Sequence, residues 1–292
     1  MNVRIFQHDR ANAAQHLGYT SGPIAIGGEE NLSRYERWSE LLDGLAQSDR
    51  LTVEEAAERL GVSLATIRRD FDELARQQML TRIRGGAKRN SVAYDLPLRY
   101  KTARHASEKQ RIGVAAAGAI AAGATVALNG GTTTTEVARA IAARGEQHAE
   151  RSEPTMTVVT NALNIANELA VRPHVKIVMT GGVARPQSYE LIGPLATLVL
   201  ETLTLDYAIL GVDGISANLG ASAHHEGEAS INQLMAQRSE HVMIVADGSK
   251  LGARGFARIC GTGQIHTLVT DASAPTAELD RLRDRGVRVV IA

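Results

Sequence analysis

Between residues 51 and 78 the apolar positions of this chain recur at helical spacing, and from residue 124 onward they gather into short β-branched runs. In the first stretch, LTVEEAAERLGVSLATIRRDFDELARQQM, two helices are predicted, joined by a tight turn at Gly61. The first covers 52–60, with Thr52 as N-cap and Glu55 three residues on, a capping box. The second is capped by Ser63 and runs to about residue 78, with Ile67, Phe71 and Leu74 as its buried stripe. At about 3.6 residues per turn, Ala65, Arg69, Asp72 and Arg76 fall opposite that stripe, flanked by Thr66 and Arg68. The following LTRIRGGA sets outward Arg82 and Arg84 against apolar Leu80 and Ile83, then turns at Gly85-Gly86. That pattern predicts a short basic hairpin, a wing.

The periodicity weakens from residue 90 to about 107, which reads as a linker with several bases that also touches DNA. Beyond it seven runs predict strands: 124–128, 157–160, 175–180, 207–212, 242–247, 267–270 and 287–292. They are short, apolar on both faces and separated by helical segments. Such a pattern predicts an α/β fold with a mainly parallel sheet and helices on both sides. Ligands of these sheets bind beyond the carboxyl ends of the strands. Here those ends carry the glycines, threonines and charges. The run at 124–128 leads into Asn129, Gly130, Gly131, Thr132, Thr133 and Thr134, then a helix. Glycines there let an anion approach the backbone, and hydroxyls and N–H groups at a helix start hold it. An ordinary glycine turn with a threonine cap fits the same residues equally well. The loop is neither a Walker A motif nor a dinucleotide GxGxxG, and no cofactor is expected.

The other strand ends add Asn161, expected to cap the next helix, Gly182 after 175–180, and Arg185. Asp213-Gly214 reads as a turn. Lys250, ordinarily a solvated side chain, gains weight as a point charge for phosphate because several strand ends converge on one crevice. His224, His225 and Glu226 are adjacent, without the separations that aim ligands at one ion, so no metal is expected.

Composition narrows the class. The chain has 32 Lys+Arg and 32 Asp+Glu, yet residues 50–104 hold twelve bases and seven acids, a net of +5. Positive charge is thus concentrated on the helical hairpin and wing. A helix entering a major groove needs small residues for approach and arginine forks for guanine edges or phosphates. Double-stranded DNA is therefore the expected partner, through Ser63, Ala65, Thr66, Arg68, Arg69, Arg82, Arg84 and Lys88. The single cysteine, Cys260, reads as a small core residue, and a reducing cytoplasm is the natural compartment. No signal peptide is seen, and the apolar run 114–128 is too weak to span a bilayer. Residues 1–32 are expected to be disordered, with a winged unit over 33–90, a linker over 91–106 and a ligand-binding domain over 107–292.

TVEEAAERLGVSLATIRRDFDEL followed by LTRIRGGA resembles the winged helix-turn-helix of the DeoR family of bacterial transcription regulators. Phe71 stands where the family has leucine, and Arg84 where it has histidine. The second half resembles the family's effector domain in GGTTT, VVTN, TGG with Arg185, GVDGIS, EGEASINQLM and ADGSKLG. The resemblance implies a fold shared with ribose-5-phosphate isomerase and a phosphorylated sugar or sugar-derived effector. It adds Asp213 and Glu228 to the ligand set. Asn129 departs from the family's usual aspartate, so no particular sugar carries over.

Two function classes follow. One is a ligand-controlled regulator, expected to be a repressor, with symmetric operator half-sites implying a homo-oligomer, dimer or tetramer. The other is a sugar-phosphate isomerase fused to a DNA-binding module, with Asp213 as its acid or base. The isomerases place a lysine and a glycine-rich turn after that aspartate, and here the chain reads ISANLGASAHH. Proton shuttling needs base and charge stabiliser together, which favours the regulator.

Overall fold

The computed structural model describes residues 32–77, 79–89, 98, 105–146 and 156–292. The expected disorder of residues 1–31 and the DNA contacts expected of the linker lie outside the described residues.

Helix α1 (Arg34–Ser48) starts at a capping box in which Ser33 and Glu36 exchange side-chain and backbone bonds. Strand β1 (Arg50–Thr52) follows, and α2 (Val53–Leu60) opens on the Thr52/Glu55 capping box and ends at left-handed Gly61. Ser63 caps α3 (Leu64–Arg76) by accepting the Thr66 N–H at 3.1 Å. Strands β2 (Leu80–Ile83) and β3 (Gly86–Arg89) form the wing, and β1 pairs with β3 to complete a three-stranded antiparallel sheet. A Cβ on Gly86 would meet the Leu51 carbonyl oxygen at 2.3 Å, so only glycine lets β3 lie this close to β1. Ile67, Phe71 and Leu74 are fully buried against Trp38, Leu41 and Leu45 of α1, as their helical spacing requires. Each such side chain contributes about 1.5–3 kcal/mol.

The α/β part begins with α4 (Ala106–Gly118) and β4 (Thr125–Leu128), then α5 (Thr132–Glu146), β5 (Met156–Thr160), α6 (Leu163–Leu169) and β6 (Val175–Met179). A two-stranded hairpin of β7 (Val183–Ala184) and β8 (Leu191–Ile192) leads to α7 (Pro194–Glu201) and β9 (Leu205–Gly211). Then come β10 (Gly214–Ser216), β11 (Gly220–Ala223), α8 (Glu226–Gln237) and β12 (Ser239–Val245). The chain ends with β13 (Ala257–Cys260), β14 (Thr267–Thr270), α9 (Thr276–Asp284) and β15 (Arg288–Ile291).

All seven runs expected to be strands join one parallel sheet in the order β15-β14-β12-β9-β4-β5-β6. Each strand alternates between two cores. Ala127, Ala208 and Leu210 pack with α7, α8 and α9, while Val126, Leu128 and Ile209 pack with α4, α5 and α6. The inner strands are dry on both faces and so read as continuous apolar runs. From β4 the chain builds β5 and β6 outward on one side, then returns to build β9, β12, β14 and β15 on the other. The strand order therefore reverses between β4 and β9, and a crevice opens where their following loops part. The antiparallel β10-β11-β13 sheet was not expected, because GIS and GASA lack the β-branched run that marks a strand. Among the described residues no helix is long and apolar enough to cross a membrane.

Candidate nucleic-acid interface and ligand cavity

Helix α3 turns Ala65, Arg68 and Arg69 to solvent and half-buries Thr66. Its first turn holds no acid, so its N–H groups and dipole present positive potential to a phosphate. The Ser63 and Thr66 hydroxyls bond each other at 2.9 Å and Ser63 also caps the helix, so at the helix entrance the Ser63 hydroxyl has two bonds made and the Thr66 hydroxyl one. Arg84 and Lys88 are exposed on the wing. Among the described residues Arg68, Arg69, Arg84 and Lys88 form no ion pair with the protein.

Arg82 behaves differently from the outward base that the alternation suggests. Its Nε meets Asp72 Oδ1 at 2.8 Å, and its Nη1 donates to the Gly86 carbonyl at 2.8 Å. The guanidinium also lies 5.5 Å from the Phe71 ring centroid. Arg82 thus braces the wing on α3. A second brace is buried. Asp70, 4% exposed, accepts from Arg37 Nε at 2.5 Å and Trp38 Nε1 at 2.6 Å, tying α3 to α1. Sequence reasoning missed this pairing, since its partners lie more than thirty residues upstream.

At the switch point between β4 and β9 lies a cavity of about 120 Å³. The β4 end supplies Asn129, Gly130, Gly131, Thr132 and Thr133, the β9 end Asp213, and the turn after β12 Asp247, Ser249 and Lys250. Glu228 and Asn232 come from α8, Lys109 from α4, and Gln187, Ser188 and Glu190 from the β7–β8 hairpin. Leu98 joins this wall, and its N–H donates to the Gln187 carbonyl at 2.8 Å.

Several expected ligand residues take other work. The Asn129 amide donates to Gly211 O at 2.9 Å and accepts from Gly211 N at 2.8 Å, locking β4 to β9. An aspartate could not make the first of these bonds. Thr134 is buried, and its hydroxyl donates to Gly131 O at 3.2 Å. Gly182 packs against β8, where a Cβ would stand 2.8 Å from Ile192 O. Neither of these two residues lines the cavity. Asn161 does not cap α6, whose N-cap is Ala162; instead Thr160 Oγ1 accepts the Ala162 N–H. Asn161 Nδ2 turns to Glu190 Oε2 at 3.1 Å and Leu191 O at 3.2 Å, a pull from thirty residues away that local spacing cannot reveal. Arg185 is not a lining residue either. It pairs with Glu228 Oε1 at 2.9 Å, both side chains being largely buried.

Other residues are where they were expected. Lys250 stands on a short turn that Asp247 caps through Ser249 N and Asp271 holds through Gly248 N. Asp213 Oδ2 accepts from His224 N at 2.8 Å. His225 Nδ1 accepts from Gly227 N and caps α8. Cys260 is buried, and burial pushes its thiol up to about 11. Of the lining residues that were missed, two matter most for the chemistry of the cavity. Lys109, 4% exposed, shares the buried stripe of α4 with Ile112, Gly113 and Ala116, and a lysine on an apolar stripe was the available signal. Glu190 has no such signal. Burial drives its carboxyl well above the usual range, with Glu228 and Asp213 adding to the push and the Asn161 and Gly130 N–H bonds opposing it.

Comparison with known proteins matches residues 37–93 to the DeoR-like helix-turn-helix domain and residues 104–272 to the DeoR C terminal sensor domain. A putative aga operon transcriptional repressor of Escherichia coli O157:H7 is 32% identical over 274 residues, covering 93% of this chain and 98% of that protein. The glycerol-3-phosphate regulon repressor of Escherichia coli (strain K12) is 30% identical over 258 residues, 88% and 99% of the two chains. The sorbitol operon regulator SorC from Klebsiella pneumoniae aligns with a TM-score of 0.38 and 13% identity over 86% of this chain and 100% of that one.

Proposed function

This chain belongs to the DeoR family of transcription regulators, and on that premise we propose that it is a repressor controlled by a phosphorylated sugar or sugar-derived metabolite. As a member of that family it is a DNA-binding regulator and not an isomerase. Its operator is read by α3 and the wing, with Arg68 and Arg69 on base edges or phosphates and Arg84 and Lys88 on the backbone.

The observation that carries the effector reading is the switch-point cavity, where Lys109 and Lys250 share a wall with the N–H groups and hydroxyls of the Gly130–Thr133 loop. Two cations and a helix N-terminus suit a phosphoryl group, and the carboxyl and amide groups opposite suit sugar hydroxyls. Leu98 supports a physical link, because this residue, which lies between the two domains in sequence, lines the cavity. An effector that prefers one arrangement of this wall shifts operator affinity through linkage. A coupling of about 1–3 kcal/mol is a roughly 5–150-fold effect. The regulator acts as an even-numbered homo-oligomer, dimer or tetramer, on symmetric half-sites. Leu195 and Leu198, exposed together on α7, give a second copy an apolar face to cover.

Calorimetry with sugar phosphates and their dephosphorylated counterparts tests the effector reading. Phosphorylated compounds should bind at least about tenfold tighter, and Lys250→Ala should erase that preference. Equal binding of both forms in wild type and variant alike would remove the anion site and leave the fold untouched.

A further inference from the structure

Glu190 comes from the β7–β8 hairpin and is pinned by two backbone bonds, Leu163 N–H to Tyr189 O at 3.0 Å and Leu191 N–H to Asn161 O at 2.7 Å. It is 3% exposed and lines the cavity. Its Cγ and Oε1 lie 2.4 and 2.6 Å from where a Cβ on Gly130 would stand, so the loop needs glycine there for the carboxyl to dock. The Gly130 N–H donates to that carboxyl. Asn161, itself fully buried, holds the other oxygen and acts as the positioning residue. A carboxyl group is therefore built into the same loop that would receive the phosphoryl group.

The surroundings decide its form. Glu228 faces it from α8, Asp213 from the end of β9, Asp247 and Lys250 from the turn after β12, and Lys109 from α4. Arg185 is engaged with Glu228 and so neutralises that neighbour first. We propose that Glu190 is a specificity-determining residue of the cavity, a neutral acid whose O–H donates to an oxygen of a bound dianion. A carboxylate at the same place would repel the phosphoryl group that the loop attracts. This rests on the phosphoryl reading above. Burial, which holds the Glu190 carboxyl far above the ordinary range, is consistent with it. The cavity then selects a dianion presented together with a proton on the protein. Effector affinity becomes a function of pH even where the ligand's own charge is constant.

Sulfate is the probe, because it stays a dianion throughout a titration from about pH 5.5 to about pH 8.5. Its affinity for the full-length protein is measured by calorimetry across the window, for wild type and Glu190→Gln. Wild-type affinity should fall as pH rises, approaching about tenfold per unit above the carboxyl's titration. Glu190→Gln, whose amide remains neutral and keeps a donor, should bind with an affinity that changes little with pH. His224, whose N–H donates to Asp213, and His225, which caps α8, are unchanged in the variant, so any share of theirs persists there. A variant profile that falls in parallel with wild type would overturn the proposal. So would a wild-type affinity that rises with pH across the window, which decides the matter even where the variant does not fold. No sulfate binding by wild type at any pH would overturn the phosphoryl reading along with it. Binding that is present but indifferent to Glu190 defeats the role of Glu190 alone.

Discussion

In the winged unit Arg68, Arg69, Arg84 and Lys88 stand exposed and form no ion pair among the described residues, whereas in the cavity the polar groups are joined to one another. Arg185 pairs with Glu228, Asn161 holds Glu190, and Asn129 spans β4 and β9. The difference reflects what each surface recognises. DNA is met from solvent, and its affinity comes largely from displaced counterions, so mobile unpaired cations serve best. A small ligand is met in a shaped pocket, where each polar group must be held in place before the ligand arrives. The winged unit can lose one contact and keep its shape. The cavity cannot lose one without releasing a neighbour.

The most severe way to blur this contrast is to attack the buried Asp70 knot of the winged unit. Asp70→Ala removes the buried carboxylate to which Arg37 and the Trp38 N–H donate, and should cost about 3–5 kcal/mol. Thermal unfolding should show a large loss, with operator binding lost through unfolding and not through contact. Next in size, Arg68→Ala and Arg69→Ala should each cost about 1–3 kcal/mol of specific binding and leave the melting midpoint nearly unchanged. An electrophoretic shift with both changes combined that matches wild type would remove α3 as the reading helix. Arg82→Ala is smaller, since its bonds are to Asp72 and Gly86 O. It should loosen the wing by about 1 kcal/mol and leave the salt slope of DNA binding as it was. Arg84 and Lys88 from each of two winged units make four phosphate contacts, which set that slope at about −3.6 in a log–log plot, and a flat plot would deny the backbone contacts.

The smallest expected effect sharpens the cavity side. Because the Glu190 carboxyl is raised in the folded protein, the fold binds more protons than the unfolded chain above the ordinary carboxylate range. Its stabilising share is complete below that range and is lost as pH rises through the folded value. Glu190→Gln should therefore raise the unfolding midpoint at alkaline pH and change it little in acid. Equal shifts at both ends of a calorimetric pH series would mean that its role is packing alone.

The two regions also differ in how far the sequence discloses them. The capping boxes at Thr52 and the cap at Ser63 join residues three apart, so spacing was enough to find them. The inner sheet strands are buried on both faces, and all seven announce themselves as apolar runs. The β10-β11-β13 sheet is built partly from glycine, alanine and serine, and so carries no such mark. In the cavity the decisive bonds join Asn129 to Gly211, Asn161 to Glu190 and Arg185 to Glu228, partners 82, 29 and 43 residues apart. Strand ends could be recognised as ligand-facing from the fold pattern, but which side chains are spent on one another could not. Lys109 was the exception, readable as a charge on an apolar stripe.

The central claim is that occupancy of the cavity controls the winged unit, and an operator titration followed by fluorescence anisotropy tests it most directly. Duplex DNA from the region upstream of the protein's own gene would be titrated with and without a panel of sugar phosphates, for wild type and Lys250→Ala. The account predicts that at least one sugar phosphate changes wild-type operator affinity roughly 5–150-fold. Lys250→Ala should bind the operator as wild type does without ligand and lose that response. Operator affinity indifferent to every sugar phosphate, or an effector response that survives in Lys250→Ala, would contradict it.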